Sequence, residues 1–311
     1  MELIRGVHNL RPEHRGCVAT IGNYDGLHLG HRKVLRQLVH QAQEDRLPSL
    51  VMSFEPTPME FFCRDKAPAR LSTFREKVEQ FGELEVDRFF CVRFNWELAE
   101  MSPEQFVRDL LVDGIAARHL VVGDDFRFGR DRSGDFDTLL AAGRTHGFDV
   151  VDTPSYSIDG LRVSSTVVRE ALARGDLGKA EKMLGRRYSM SGRVTRGDQL
   201  GRKLGYPTAN IRVDRRRPPL TGVFAVQVLG LGPARDAVAS LGTRPTVDGK
   251  EMRLEVHIFD FDEDIYGRHI RVEFVARLRE ERRFESVELM TEQLGRDAAS
   301  ARALLAGEGE G

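Results

Sequence analysis

The chain has 311 residues, 41% of them apolar and 31% charged, which suits two soluble globular domains and excludes a disordered or collagenous chain. Forty-seven Lys and Arg against 48 Asp and Glu leave a net charge of -1, so no global basic field exists to hold nucleic acid by counterion release. Three cysteines, Cys17, Cys63 and Cys91, lack C-x-x-C spacing; they spell neither a disulfide framework nor a cysteine zinc site, and fit a reducing cytoplasm.

Met1 to Arg15 carries His, Glu and Arg with no apolar stretch, and nothing approaches the ~20 apolar residues of a membrane span, so neither export nor insertion is expected. Short β-rich runs then recur at Cys17 to Ile21, Leu50 to Phe54, Phe89 to Phe94, His119 to Val122 and Phe148 to Val151. Between them lie helical patterns: one stripe of Val34, Leu35, Leu38, Val39 and Ala42, then Phe74 to Phe81, Pro103 to Val112 and Asp135 to Ala142. Alternating β and α predicts a Rossmann-like, doubly wound parallel sheet.

Two further helical segments, Ser165 to Ala173 and Leu177 to Leu184, precede the point near Gly185 where the alternation stops. Domains of 1–185 and 186–311 are therefore expected. Tyr188 to Val194, Gly222 to Leu229, Ala237 to Leu241, Arg253 to Phe259 and His269 to Leu278, separated by Gly, Pro or Asp clusters, predict an antiparallel β-barrel. Val287, Met290, Leu294, Ala298, Ala301 and Leu305 give a C-terminal helix one apolar face to lay on it. The tail from Gly307 to Gly311 is expected to fray, and Arg215 to Arg217, beside two prolines, reads as a solvated loop.

The strand at Cys17 runs into Thr20-Ile-Gly-Asn-Tyr-Asp-Gly-Leu-His-Leu-Gly-His31, and a helix begins at once. Gly22, Gly26 and Gly30 let backbone approach a phosphate, while the helix N-terminus offers unpaired N–H groups and the positive end of its dipole. His28 and His31, one turn apart, supply donors for the charge that develops in phosphoryl or nucleotidyl transfer. A bare His-x-x-His is more often surface or half a metal site, but no third ligand of suitable spacing is evident. Neither G-x-G-x-x-G nor the P-loop pattern occurs. Val163-Ser-Ser-Thr-Val-Val-Arg169 opens a later helix; Ser165 and Thr166 there are ordinarily caps, yet with Arg169 they form a second phosphate wall at the sheet's C-terminal edge.

These two strings, with Phe54-Glu-Pro-Thr-Pro-Met-Glu-Phe-Phe62 and Val122-Gly-Asp-Asp-Phe-Arg-Phe-Gly129, resemble the adenylyltransferase half of the prokaryotic bifunctional riboflavin kinase/FAD synthetase family. In that family position 24 is more often Phe and position 57 often His, where this chain has Tyr24 and Thr57. The resemblance implies that FMN phosphate attacks the α-phosphate of ATP, giving FAD and pyrophosphate without a protein nucleophile. Asn23 and Asp25 join the ATP-binding set. Phe62, Phe106 and Phe128 are candidates to stack on the isoalloxazine, against the plain alternative of core packing.

The second half opens with a glycine-rich cationic string: Gly197, Gly201 and Gly205 are interleaved with Arg196, Arg202 and Lys203, which suits a nucleotide's phosphates. Pro207-Thr-Ala-Asn210 follows and sets two neutral oxygen ligands, Thr208 and Asn210, on one side of an extended segment, as Mg²⁺ with ATP requires. This string resembles the riboflavin kinase motif, and Leu241 to Val247, Leu254 to Asp262 and Arg277 to Phe284 agree in order. The resemblance makes Glu255 the base that takes the ribityl 5′-hydroxyl proton as it attacks the γ-phosphate; taken alone it reads as an exposed strand residue.

The expected protein binds riboflavin, FMN, FAD and ATP, uses Mg²⁺, and has no nucleic acid or membrane partner; the sequence leaves room for a homo-oligomer. Alternatives are another nucleotidyltransferase, including a class I aminoacyl-tRNA synthetase, though its Lys-Met-Ser-Lys-Ser-like loop is missing. A non-catalytic flavin-binding or sensing protein is the alternative from another class.

Overall fold

A computed structural model describes residues 1–197, 201, 204–215, 217–246 and 249–308, and of residues 243–246, 249–251 and 308 the backbone alone. The chain forms two compact units: Met1–Pro68 with Phe74–Ser164, and Ala69–Thr73 with Ser165–Gly311.

In the first unit the elements are β1 (Glu2–Arg5), β2 (Cys17–Ile21), α1 (Leu29–Asp45), β3 (Ser49–Glu55), α2 (Pro58–Cys63), α3 (Phe74–Glu83), β4 (Arg88–Arg93), α4 (Trp96–Ala99), α5 (Pro103–Phe106), β5 (Ala117–Gly123), α6 (Phe136–His146), β6 (Asp149–Thr153), β7 (Ser157–Ile158) and β8 (Leu161–Arg162). Six strands pair in the order β1-β4-β3-β2-β5-β6, all parallel. Alternation along each strand feeds two cores. Cys17, Ala19, Ile21, Leu50, Met52, Phe90 and Leu120 enter one with Leu139 of α6. Val18, Val51, Phe89 and Val121 enter the other with Leu35 and Leu38 of α1. Both faces being covered, the strands read as continuous apolar runs rather than alternating ones.

This is the doubly wound sheet the sequence predicts, with two differences. β1 joins the edge beside β4 with only Ile4 buried, too little apolar pattern to register as a strand. The expected helix over Pro103 to Val112 changes geometry: Val107–Val112 is π-helical, with Asp113 N–H donating to Arg108 O at 2.8 Å. Strand order reverses between β2 and β5, so the loops leaving their carboxyl ends diverge and open a crevice there.

The second unit contains α7 (Ser165–Arg174), α8 (Leu177–Leu184), β9 (Ser189–Thr195), β10 (Ala209–Arg212), β11 (Gly222–Leu229), β12 (Arg235–Thr246), β13 (Gly249–Ile258), β14 (His269–Arg279) and α9 (Val287–Glu308). Strands β9 to β14 close into an antiparallel barrel, β10-β13-β12-β11-β14-β9; closure leaves no edge to aggregate. Ala298, Ala301 and Leu305 of α9 pack on Val223, Ala225, Val238 and Phe259, and Asp297, almost fully buried, takes Arg279 at 2.6 Å. Val287 stays exposed. The helix continues through Gly307 to Glu308, and the rest of the expected frayed tail lies outside the described residues. Arg215 is no solvated loop residue: it is 7% exposed and donates to the Arg70 and Leu71 carbonyls at 3.2 and 2.9 Å. Among the described residues no helix is long and apolar enough to cross a membrane.

Candidate functional site

Between β2 and α1 the chain makes the predicted glycine loop. His28 is the N-cap of α1, its Nδ1 accepting from the His31 N–H at 3.2 Å. That bond leaves the proton of the neutral ring on Nε2. The two imidazoles stack at 3.6 Å and 17°. A Cβ at Gly30 would stand 3.2 Å from His28 Nδ1, so a side chain there would crowd the ring. Tyr24 supports the pair from below: its ring meets His31 edge-on at 5.0 Å, and its hydroxyl bonds Thr20 Oγ1 at 2.6 Å. Burial pushes the Tyr24 phenol up, which keeps it neutral.

Lys77, invisible as a site residue in the sequence, is 1% exposed and donates from Nζ to the Asn23 carbonyl at 2.8 Å. It fixes the loop from α3, 54 positions away in the chain, and gives no local signal.

A cavity of about 820 Å³ opens at the strand-order reversal, within the range of small-molecule sites. Gly22, Asn23, His28, Gly30 and His31 line its polar end. Phe62, Phe94, Trp96, Phe106 and Phe128 make an aromatic wall, and Arg127, Arg130 and Arg132 come from the loop after β5. Phe62 and Trp96 are 54% and 63% exposed, whereas Phe106 and Phe128 are 3% and 6% exposed and 5.3 Å apart, serving the core as well as the wall. Asp25 and Gly26 belong to the loop but do not line the cavity; Asp25 is buried and Gly26 turns the chain at φ 83°. Thr57 caps α2: its hydroxyl accepts from the Glu60 N–H at 3.4 Å while Glu60 reaches back to the Thr57 N–H at 3.0 Å.

At the rim, Ser155 donates to Asp124 from Oγ at 2.8 Å and from N at 3.0 Å, and Arg162 meets Asp125 at 2.6 Å. Burial opposes the charge on Asp124, but the Ser155 hydrogen bonds and the Arg162 guanidinium outweigh it and hold the carboxyl below the usual aspartate range. Ser164 lines the cavity. The next residues in the chain, Ser165, Thr166 and Arg169, open α7 in the second unit, where Arg169 Nε donates to Ala69 O at 2.7 Å.

In the second unit, Thr208 precedes β10 and Asn210 lies within it, opposite Thr195 on one side and Glu255 on the other. Ile211, Leu254 and Val256 point into the barrel, which turns Asn210 and Glu255 outward; both are half-buried. A Cβ at Gly197 would overlap the Asn210 carboxamide, and one at Gly201 would stand 3.4 Å from Thr208 Oγ1. Gly197, Gly201, Thr208 and Asn210 therefore converge, while Gly205 is an exposed turn at φ 83°. His257 Nδ1 donates to the Pro207 carbonyl at 2.8 Å, a tether on the strand's entry that the sequence did not single out. Arg202 and Lys203 lie outside the described residues. Among the described residues no group of three His, Cys, Asp or Glu side chains is arranged to hold a metal.

The chain matches the FAD synthetase family over residues 10–167 and the riboflavin kinase family over residues 184–305. A Pseudomonas fluorescens protein named bifunctional riboflavin kinase/FMN adenylyltransferase is 52% identical over 308 residues, covering 98% of this chain and 98% of that one. The protein of the same name from Escherichia coli (strain K12) is 48% identical over 304 residues, covering 97% of each. A crystal structure from Streptococcus pneumoniae, named for a macrolide-efflux protein, aligns with TM-score 0.82 at 29% identity over 97% of this chain and 99% of its own.

Proposed function

The chain belongs to the bifunctional riboflavin kinase/FMN adenylyltransferase family; it phosphorylates riboflavin to FMN and adenylylates FMN to FAD, and we propose how its residues divide that work. We place the division of labour near Gly185, with adenylylation in residues 1–185 and phosphorylation in residues 186–311.

The observation that carries the adenylyltransferase assignment is a single cavity with a glycine and histidine loop at one end and an aromatic wall at the other. ATP phosphates suit the first and the flat flavin ring the second. An FMN phosphate oxygen attacks the α-phosphorus of ATP, and the bond to pyrophosphate breaks. No covalent enzyme intermediate is needed, so the residues position and stabilise charge. His28 donates from Nε2, the consequence of its Nδ1 accepting from His31 N–H. Gly22, Asn23 and Gly30 carry backbone near the phosphates, Asp25 and Gly26 shape the turn, and Ser165, Thr166 and Arg169 supply hydroxyls and a cation. Phe62 stacks on the isoalloxazine, with Phe106 and Phe128 behind it.

For the kinase, Glu255 takes the proton of the ribityl 5′-hydroxyl as that oxygen attacks the γ-phosphorus, and ADP leaves. Thr208 and Asn210 hold MgATP: both offer neutral hard oxygens, and the missing side chain at Gly197 makes room for the Asn210 carboxamide. The ion arrives with the nucleotide as part of the substrate, and it neutralises phosphate charge. Gly197, Gly201 and Gly205, with Arg202 and Lys203, cradle the phosphates. The three free thiols, Cys17 and Cys91 buried and Cys63 half-buried, support a reducing cytoplasmic setting.

Incubating the protein with riboflavin, ATP and Mg²⁺ and separating the flavins by chromatography tests the whole reading. FMN appears first and FAD follows. Bound riboflavin with no turnover of either kind would mark a flavin-binding protein instead.

A further inference from the structure

We infer that Trp96 is a specificity-determining residue for FMN adenylylation, its indole covering the dimethylbenzene edge of the isoalloxazine at the lip of the first unit's cavity. This rests on the reading that the aromatic wall takes the flavin ring.

The chain has one tryptophan, and an indole is ordinarily well buried because of its large apolar area. Trp96 is instead the most exposed large apolar side chain among the described residues. Phe62 comes second and Met59 is exposed as well, and all three line the same cavity. Exposed apolar side chains scattered singly need no explanation, whereas a contiguous set at the mouth of a cavity marks a ligand surface.

The backbone puts the indole there. Phe94 N–H donates to Glu55 O at 3.2 Å, carrying the β3–β4 ladder one residue past β4. Asn95 then caps α4 by accepting the Leu98 N–H at 3.0 Å. Leu98 is buried in the core. Residues two apart on a helix lie on nearly opposite sides, so the turn that anchors Leu98 leaves Trp96 facing outward.

The indole meets Phe61 at 5.1 Å and Phe62 at 5.9 Å, both edge-to-face, with interplanar angles of 71° and 69°. Neither ring is stacked on it, so a planar guest takes up a contact the fold has not already made. A second hollow of about 420 Å³, reaching Arg64 and Lys66, shares Phe62 and Trp96 with the cavity. The two rings thus form a partition with space on both sides, and they can adjust to what they cover. Polarity decides which half of the flavin that is. The pyrimidine half carries carbonyls and an N–H that are costly to bury without partners, while the benzenoid half carries two methyl groups. Met59, Phe62 and the face of the indole offer apolar contact and no strong hydrogen-bond acceptor, which suits the benzenoid half.

Adenylylation by the full chain, measured with FMN and with the FMN analogue lacking both ring methyl groups, tests this. The parent is expected to favour FMN in kcat/KM by about 5- to 15-fold, the scale of two buried methyl groups. Trp96→Ala should raise KM for FMN about 3- to 10-fold, the scale of one aromatic contact, and cut that preference to about 2- to 3-fold. Its kcat, its KM for ATP and riboflavin phosphorylation should stay at parent values, because only flavin binding is altered. Trp96→Phe keeps a ring and should fall between the two. If Phe62→Ala raises KM for FMN while Trp96→Ala changes neither KM nor preference, the role of Trp96 is overturned and the aromatic-wall reading stands. If neither variant changes KM for FMN, that reading fails and the inference with it. A rise in KM by the same factor for both flavins, or a parent without preference, also overturns the inference, since the indole then does not cover the methyl edge.

Discussion

Asn210 and Glu255 stand directly opposite each other across the β10–β13 ladder, so amide and carboxylate project from the same face of the barrel wall. A metal-nucleotide ligand and a base would thus be set side by side by strand register alone. Glu255→Gln keeps the shape and removes the base. General-base assistance is worth ~10²- to 10⁴-fold, so riboflavin phosphorylation should fall within that range while FMN adenylylation continues at the parent rate. Unchanged phosphorylation, with chemistry confirmed as rate-limiting, would assign the proton to another group.

Gly197 is a second, independent probe of that face. A methyl there would overlap the Asn210 carboxamide, so Gly197→Ala should mimic Asn210→Ala: a raised KM for MgATP and slower kinase turnover, with adenylylation untouched. Kinetics of Gly197→Ala identical to the parent would show that Asn210 is not engaged with the nucleotide.

How much of this was legible in the sequence follows from how local each signal is. The glycine loop and His-x-x-His were, because strand, loop and helix are consecutive. Thr208 and Asn210 were, because their spacing places them on one side of an extended chain. Lys77 was not: on the pattern of α3 a lysine reads as surface, and its partner Asn23 lies in another segment, 54 positions away. Arg215 failed the same way, since a run of three arginines beside prolines ordinarily faces water and its carbonyl partners lie 145 and 144 positions away. The strand β10 was missed because four residues with one fully buried side chain give no periodicity. The aromatic wall was half legible: Phe62 and Phe128 lie in the motif strings and Phe106 was a further candidate outside them, while Trp96 joins them only through the fold.

For the adenylyltransferase site, His28→Ala should depress FAD formation by ~10²-fold or more, the usual consequence of removing one preorganised donor, and spare riboflavin phosphorylation. Gly30→Ala offers a gentler version, since its methyl would press on the His28 ring at 3.2 Å. Its effect should be a smaller loss in the same direction. Equal loss of both activities in either variant, read from the same flavin chromatogram, would point to misfolding.

The Asp124–Ser155 contact predicts a pH dependence with a definite sign. Asp124 has its carboxyl held below the ordinary aspartate value of 3.8. A depressed folded-state value means that the contact's stabilisation is fully present above that ordinary value and is lost as pH falls through the folded-state value. Ser155→Ala removes the hydroxyl donor, so the Asp124 carboxyl should titrate at higher pH by NMR, and the acid limb of the stability curve should begin earlier. An unmoved Asp124 titration would mean that the backbone N–H donors and the Arg162 guanidinium hold it without the Ser155 hydroxyl.

The last prediction concerns where the kinase can be cut. A fragment beginning at Arg186 retains every proposed kinase residue and should phosphorylate riboflavin without making FAD. It loses the α7–α8 pair, however, and that pair packs on the barrel: Arg277 of β14 lies against Gly175, whose Cβ would stand 3.0 Å from Nη1, and α8 buries Leu177, Ala180, Met183 and Leu184. Burying an aliphatic side chain is worth ~1.5–3 kcal/mol, so a fragment beginning at Ser165 should be the more stable by ~3 kcal/mol. For a domain of this size that corresponds to a melting temperature higher by roughly 10 °C. Equal melting of the two fragments would show that the helical pair is a passenger on the barrel, and a folded Arg186 fragment without kinase turnover would place part of the kinase site before Gly185.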